Sequence, residues 1–188
     1  MEALLISFIA AALGEWGDKT QLLVIALAAR YRRPLPILAG VLAAALANSL
    51  IAAFGGALVH DMVAPRAASL LVALALIFAG VAGLIRPKPY ESAGTSRGGP
   101  FLVAAASFFV LEFGDKTQFL TFAIAARFDA FALAAAGATA GIMAGSVPAA
   151  LLGQGLAKAV PLKALRIGFG ALFLAVGLVV GLSARRLL

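Results

Sequence analysis

The sequence predicts an all-α integral membrane protein with six transmembrane helices, arranged as two inverted-topology repeats of three helices each. Two observations predict this class. The 188 residues are 63% hydrophobic and only 12% charged, with a mean hydropathy of +1.07, whereas soluble domains are roughly 45–50% apolar. The second half of the chain also repeats the first half, at a constant spacing along the sequence.

Six apolar runs are each close to or above the roughly 20 residues that cross a bilayer core. Prolines, arginines and an aspartate separate them. The longest connection, residues 87–100, is rich in Gly, Pro and Ser and predicts a flexible cytoplasmic linker between a first repeat, 1–86, and a second repeat, 101–188. The predicted spans are residues 4–29, 35–59, 67–85, 101–126, 131–156 and 165–182.

The repeat is clearest around a polar motif that lies inside an apolar run. Residues 15–20, Glu-Trp-Gly-Asp-Lys-Thr, recur at 112–117 as Glu-Phe-Gly-Asp-Lys-Thr, and 11 of the 16 positions from 15 to 30 are identical to 112–127. Because each repeat has an odd number of spans, the two repeats enter the membrane in opposite directions. Inverted repeats with a site near the midplane are typical of secondary transporters.

The basic residues indicate topology. The formal net charge is +7, but the Lys and Arg residues cluster at the ends of apolar runs, which is not the pattern of a nucleic-acid-binding surface. Nine of them fall in the predicted connections after the first, third and fifth spans, and four on the opposite side. The positive-inside rule then places both termini outside the cytoplasm.

Charged side chains inside a membrane span cost roughly 2.5–3.5 kcal/mol each even on insertion scales, so the two motifs predict a functional site. On a continuous helix, Glu15, Asp18 and Lys19 fall within roughly one 100° sector, and Glu112, Asp115 and Lys116 repeat this arrangement. If the two helices meet, four carboxylates and two ammonium groups converge with a formal charge of minus two. One divalent cation would neutralise it.

The types of side chain narrow the choice of cation. Carboxylates with nearby hydroxyl and amide oxygens suit Ca²⁺, Mn²⁺ and Mg²⁺, whereas Zn²⁺ and copper favour Cys, His or Met ligands. Mn²⁺ or Ca²⁺ fits better than Mg²⁺, which tends to keep its waters. Lys19 and Lys116 are expected to balance charge, pairing with Glu15 and Glu112 at i,i+4 spacing when the site is empty. Crowding and desolvation favour protonated carboxyl groups, so proton counter-transport is a hypothesis.

Small residues recur at spacings of three or four, which in membranes indicates close helix packing more often than a transport role. Asn48, Ser49 and Ser146 could contribute oxygens to the ion or form interhelical hydrogen bonds. The small residues in this pattern are Gly40, Ala44, Ala47, Gly137, Gly141 and Gly145.

The two motifs resemble the family of membrane proteins related to Golgi transmembrane protein 165, which is recognised by two copies of E-x-G-D-[K/R]-[T/S]. Both copies match at every specified position. The resemblance implies an exchanger of Mn²⁺ and Ca²⁺ for protons, not an enzyme and with no permanently bound cofactor. The short central connection is similar to that of bacterial members, which implies an exporter in the cell (inner) membrane. The resemblance implies an ion path through Glu15, Asp18, Glu112 and Asp115, with further contributions from Thr20, Thr117, Gln21 and Gln118.

Three other interpretations stay open. An intramembrane aspartyl protease would use Asp18 and Asp115, but a lysine after each aspartate competes for the charge that acid–base catalysis requires. A structural subunit of a membrane complex would move no ion. Buried salt bridges that only lock the helices would need one acid per lysine, and each motif has two. The sequence does not determine the oligomeric state.

Overall fold

The computed structural model describes residues 1–85 and 98–186, and these parts of the chain are helical, with no β-strand among them. Most of the predicted linker, residues 87–97, and Arg86 at the end of the predicted first repeat lie outside the described residues. The helices are α1 (Glu2–Glu15), α2 (Lys19–Tyr31), α3 (Pro34–His60), α4 (Pro65–Leu84), α5 (Pro100–Glu112), α6 (Lys116–Phe128), α7 (Phe131–Leu152), α8 (Gln154–Ala159) and α9 (Leu162–Arg186).

Four of these helices, α3, α4, α7 and α9, are long and apolar enough to cross a bilayer, which agrees with a multi-pass membrane protein. The prediction of continuous helices over residues 4–29 and 101–126 is wrong. Each run is divided into two helices of 13 or 14 residues, α1 with α2 and α5 with α6. The predicted fifth helix ends at Leu152, because Gly153 adopts a positive φ of 52° before α8 begins.

Glycines on α3 and α7 allow the divided helices to approach closely, in agreement with the predicted packing role of the small residues. On α7, Gly137 lies against the backbone of Leu4, and Gly141 lies against the carbonyl of Phe8. On α3, Gly40 lies against the backbone of α5 at Phe101. The α1 helix therefore packs along α7, and α5 packs along α3, so that each long helix supports the divided helix of the other half.

Gly141→Ala is expected to destabilise the protein, because a Cβ at this position would lie 2.5 Å from the carbonyl oxygen of Phe8 and 2.8 Å from the Cβ of Ala11. Overpacking of this kind costs about 1–3 kcal/mol. Gly168→Ala on α9 is the matched control, since its Cβ would meet nothing within 4 Å. The thermal unfolding midpoint in detergent should fall for Gly141→Ala and stay level or rise for Gly168→Ala. Equal midpoints would contradict the close packing of α1 on α7.

The α4 and α9 helices form a closely packed pair with an arginine at each end. The guanidinium of Arg166 on α9 donates to the carbonyls of Gly83 and Ile85 at the end of α4. Conversely, Nε of Arg66 on α4 donates to the carbonyl of Ala184 near the end of α9, at 3.1 Å. A cation at a helix C-terminus satisfies free carbonyls and complements the helix dipole, so each helix stabilises the end of its neighbour.

A cavity of about 510 Å³ separates this pair from α1 and α6. Its lining is mostly aliphatic and aromatic, with Ser69 and Arg127 as polar members, and Nε of Arg127 donates to Oγ of Ser69 at 2.9 Å. The α4–α9 pair is therefore packed less tightly against α1 and α6 than its two members are against each other.

Candidate cation site

Both polar motifs interrupt a helix at their glycine. Gly17 has a φ of +75° and Gly114 has a φ of +76°, a left-handed conformation that glycine adopts without steric cost. The following aspartate is extended in each copy and is the N-cap residue of the next helix. A backbone hydrogen bond closes each turn, from Asp18 N–H to the Glu15 carbonyl at 3.2 Å and from Asp115 N–H to the Glu112 carbonyl at 3.0 Å.

The expectation that Glu15, Asp18 and Lys19 share one helical face is therefore wrong, because Glu15 ends α1 and Lys19 begins α2. The same holds for the second motif. The signal that could have revealed the break is the Gly-Asp pair itself: glycine commonly follows a helix end, and aspartate is a preferred N-cap.

Each lysine pairs with the aspartate of the other half, and Lys116 also contacts the aspartate of its own motif. Lys116 Nζ forms an ion pair with Asp18 Oδ2 and lies 3.6 Å from Asp115 Oδ2. Lys19 Nζ lies 3.1 Å from Asp115 Oδ1. The expected i,i+4 pairs with Glu15 and Glu112 are not formed, because the helix break moves each glutamate away from the lysine of its own motif. The ion-pair partners of the lysines are the aspartates.

The aspartate carboxylates are available for these pairs because neither caps its helix through a side-chain hydrogen bond. Both lie just before a helix N-terminus, where a negative charge is favourable. The two ion pairs differ in burial: the Lys116 side chain is 5% exposed, and that of Lys19 is 31% exposed. The pairing is thus crosswise, but the two pairs are not equivalent.

The two glutamates differ even more. Both are 1% exposed, but only Glu15 is bound by both threonines of the motifs. Thr20 Oγ1 donates to its Oε2 at 2.5 Å, and Thr117 Oγ1 donates to its Oε1 at 2.9 Å. Neither carboxyl oxygen of Glu112 has a hydrogen-bond partner in the described parts of the chain. The threonine of the second motif, Thr117, therefore binds the glutamate of the first motif and not that of its own.

Each motif is followed by a glutamine, and both glutamines contact the break. Gln21 Oε1 accepts from the Gly17 N–H at 2.8 Å, and Gln118 Oε1 accepts from the Gly114 N–H at 2.6 Å. At the other end of the amide, Gln21 Nε2 donates to the carbonyl of Gly145 at 3.0 Å. These bonds could not be predicted from the sequence, since they depend on the conformation of the turn.

The structure brings the acidic side chains of both motifs into one electrostatic cluster. Glu112 and Thr117 line one small cavity, and Thr117 Oγ1 donates to Glu15. Lys116 contacts Asp18 and lies 3.6 Å from Asp115. Within residues 1–85 and 98–186, no group of three or more His, Cys, Asp and Glu side chains is arranged to hold a metal ion. The acidic side chains lie close together, and Lys116 contacts both aspartates, whereas Lys19 contacts Asp115.

The surroundings of the two breaks differ. A Cβ on Gly17 would overlap the carbonyl oxygen of Leu162 at the start of α9, whereas a Cβ on Gly114 would meet nothing within 4 Å. Gly114 and Asp115 instead line a groove of about 620 Å³ between α3, α4 and α6. The start of α9 therefore covers the first helix break, and the second break is open to the groove.

Asn48 is a polar residue of the site whose role the sequence left open. It is 1% exposed; its Nδ2 donates to the carbonyl of Phe109 at 3.2 Å, and its carbonyl accepts from Gln118 Nε2 at 3.3 Å. Asn48 therefore forms an interhelical hydrogen bond, one of its two expected roles. Its counterpart in the repeat is Gly145, which the same spacing of 97 residues (145 minus 48) identifies.

Comparison with known proteins agrees with the resemblance carried by the motifs. The family described as "Divalent cation/proton antiporter GDT1" matches residues 3–90 and again residues 100–187. A protein of Vibrio cholerae serotype O1 named "Putative manganese exporter" is 40% identical over 181 residues, covering 95% of this chain and 90% of that protein. No solved structure matches the chain. Transport, and not enzyme catalysis, is thereby confirmed, and the chain belongs to the GDT1 family of divalent cation/proton antiporters.

Proposed function

We propose that this chain exports Mn²⁺ across the cell (inner) membrane in exchange for protons, with Ca²⁺ as a second cargo. Manganese export is the activity that the name of the Vibrio cholerae relative states, and hard oxygen ligands suit both ions. The observation that carries the proposal is the crossed pairing of each motif's lysine with the aspartate of the other motif.

The crossed pairs support a cation position between the two halves. Lys116 Nζ contacts a carboxylate oxygen of Asp18 and lies 3.6 Å from one of Asp115, so one ammonium group bridges acids from both halves. We propose that Mn²⁺ displaces this ammonium group and binds the same two aspartates. The ion then carries one more positive charge into the cluster than the lysine did.

Glu15 and Glu112 complete the acidic part of the proposed ligand set. With both lysines present, the four carboxylates leave a formal charge of minus two, which one divalent cation neutralises. The hydroxyls of Thr20 and Thr117 already lie within 2.9 Å of Glu15 oxygens, which places two more oxygen ligands beside the acids.

Proton exchange follows from the cost of buried charge. Removing one partner from a buried, compensated set of charges is strongly destabilising, so the carboxylates need another source of positive charge when the cation leaves. We propose that the lysines compensate the two aspartates and that protons compensate the two glutamates, which are both 1% exposed. Cation release on one side is then linked to proton uptake.

We further propose six membrane spans in two inverted repeats, 1–86 and 101–188, joined by a cytoplasmic linker at 87–100. Two interrupted spans, α1 with α2 and α5 with α6, join the four unbroken helices α3, α4, α7 and α9. The packing of α1 on α7 and of α5 on α3 supports this, because an exchange of the two halves turns one pair into the other. Both termini then lie outside the cytoplasm.

The family assignment does not favour the two rival functions. An aspartyl protease needs one aspartate as an acid and the other as a base, whereas Asp18 and Asp115 each form an ion pair with a lysine. A structural subunit would not use an exchange mechanism at all.

The test of the proposal is ion flux through purified protein in liposomes that contain a pH-sensitive dye. Mn²⁺ added to one side should move down its gradient while protons move in the opposite direction, and Ca²⁺ should do the same. Protein-free liposomes serve as the control. Flux of neither ion under any imposed pH gradient would overturn the proposal, and Mn²⁺ flux without opposite proton movement would overturn the exchange.

A further inference from the structure

Each motif glutamine connects a helix break in one half of the chain to a long helix of the other half. Gln21, on α2, bonds the Gly17 N–H and the carbonyl of Gly145 on α7. Gln118, on α6, bonds the Gly114 N–H and the carbonyl of Asn48 on α3. Because Asn48 and Gly145 are counterparts in the repeat, the same bridge is built twice.

The hydrogen-bond partners of each glutamine determine the orientation of its side-chain amide. A backbone N–H requires an acceptor, which must be the amide oxygen, and a backbone carbonyl requires a donor, which must be the amide nitrogen. In both bridges the oxygen faces the positive-φ glycine and the nitrogen faces the opposite half. The arrangement is therefore specific to an amide with the length of a glutamine side chain.

The second bridge continues one step further than the first. Asn48 Nδ2 donates to the carbonyl of Phe109 on α5, so α6, α3 and α5 are joined through one run of hydrogen bonds at the second break. At the first break, Gly145 has no side chain to extend the run, and the α7 backbone instead approaches Glu15. Both bridges lie within one or two residues of an acidic group of the cluster.

We infer that Gln21 and Gln118 are positioning residues for the transported cation and not its ligands. They hold each Gly-Asp turn in the conformation that directs the aspartate of one half toward the lysine of the other. This inference rests on the proposed function, since it assigns how that same site is kept in order. It departs from the ligand role that the family resemblance implied for the two glutamines.

Substitution of Gln21 or Gln118 by glutamate distinguishes a ligand role from a positioning role. A glutamate in place of glutamine adds a negative charge and keeps an acceptor for the glycine N–H, but it loses the donor to the opposite carbonyl. If the side chain were a ligand, a carboxylate would bind Mn²⁺ at least as well as an amide. If the side chain positions the turn, the carboxylate is repelled by the carbonyl of Gly145 or Asn48, and the site is displaced.

The experiment measures Mn²⁺ binding to purified full-length protein by electron paramagnetic resonance, which reports free Mn²⁺ directly. Gln21→Glu is expected to raise the Kd for Mn²⁺ by about 10- to 100-fold, the range found when partners that orient metal ligands are removed. Gln118→Glu should have a smaller effect, because its amide donates at 3.3 Å and not at 3.0 Å. Gln154→Glu, at the exposed start of α8, is the matched control and should leave Kd unchanged.

Unfolding midpoints, measured in parallel, distinguish positioning from general stability. If both variants have a lower midpoint and an unchanged Kd, the glutamines have only a structural role. If the Kd of Gln21→Glu is unchanged or lower without a change in midpoint, Gln21 is a ligand of the cation. Either result overturns the inference. If the buried Gln21→Glu does not fold, the half-buried Gln118→Glu decides the question. Wild-type protein that binds neither Mn²⁺ nor Ca²⁺ would instead refute the proposed function itself, and this inference with it.

Discussion

The double variant Asp18→Asn, Asp115→Asn is expected to lose at least about 100-fold of its Mn²⁺ flux in liposomes. Asparagine has nearly the same shape as aspartate, and both crossed ion pairs lose their negative partner. Glu15 and Glu112 still balance the charge of the two lysines. Contacts with a charged group contribute about 1.5–3 kcal/mol each, and every 1.4 kcal/mol is a factor of ten. The four-carboxylate cluster also falls from a formal charge of minus two to zero, which leaves no net charge for a divalent cation to neutralise.

The matched control is Asp61→Asn with Asp129→Asn. These two aspartates follow the ends of α3 and α6, outside both motifs, and both are exposed. The control should keep wild-type flux and wild-type proton movement. If the motif double variant retained flux within about threefold of wild type, the ion path would not run through the crossed pairs.

Gly17→Ala is expected to be much more damaging than Gly114→Ala, although both change the same position of the same motif. The two glycines have nearly equal φ angles of +75° and +76°, so a side chain adds about 1–2 kcal/mol of backbone strain in both. At Gly17 the new Cβ would also overlap the carbonyl oxygen of Leu162 and lie 3.0 Å from the Cβ of Arg166. Overpacking adds about 1–3 kcal/mol there and nothing at Gly114.

The comparison is made on the two purified variants by thermal unfolding in the same detergent, followed by flux in liposomes. Gly114→Ala should fold with a modestly lower midpoint, and Gly17→Ala should have the lowest midpoint or fail to accumulate. Similar midpoints for the two variants would mean that the start of α9 does not cover the first break.

The membrane class and the duplication could be predicted from the sequence, because each depends on composition or on spacing along the chain. The family could be recognised from the resemblance carried by the two motifs, and the inverted repeat made a meeting of the motifs the expected arrangement. The helix breaks do not follow from helical periodicity, which takes no account of the positive φ that Gly17 and Gly114 adopt before each aspartate. The crossed pairing of Lys19 and Lys116 could not be predicted, since it depends on how α1, α2, α5 and α6 are placed relative to one another.

The difference in hydrogen bonding between Glu15 and Glu112 could not be predicted from the sequence either. Their motifs are the same at every specified position, yet Glu15 has two hydroxyl partners and Glu112 has none among the described residues. Thr117 can donate its single hydroxyl proton to only one carboxylate at a time. Sequence identity between the halves therefore does not extend to identity of their hydrogen bonds.

The arginines at the two ends of the α4–α9 pair have a mechanical consequence. Arg166 holds the end of α4, and Arg66 holds the end of α9. Shear of one helix along the other by a single residue, about 1.5 Å, would pull both guanidinium groups off their carbonyls at the same time. If these helices move during a transport cycle, motion of the pair as one rigid body therefore costs less free energy than sliding of α4 along α9.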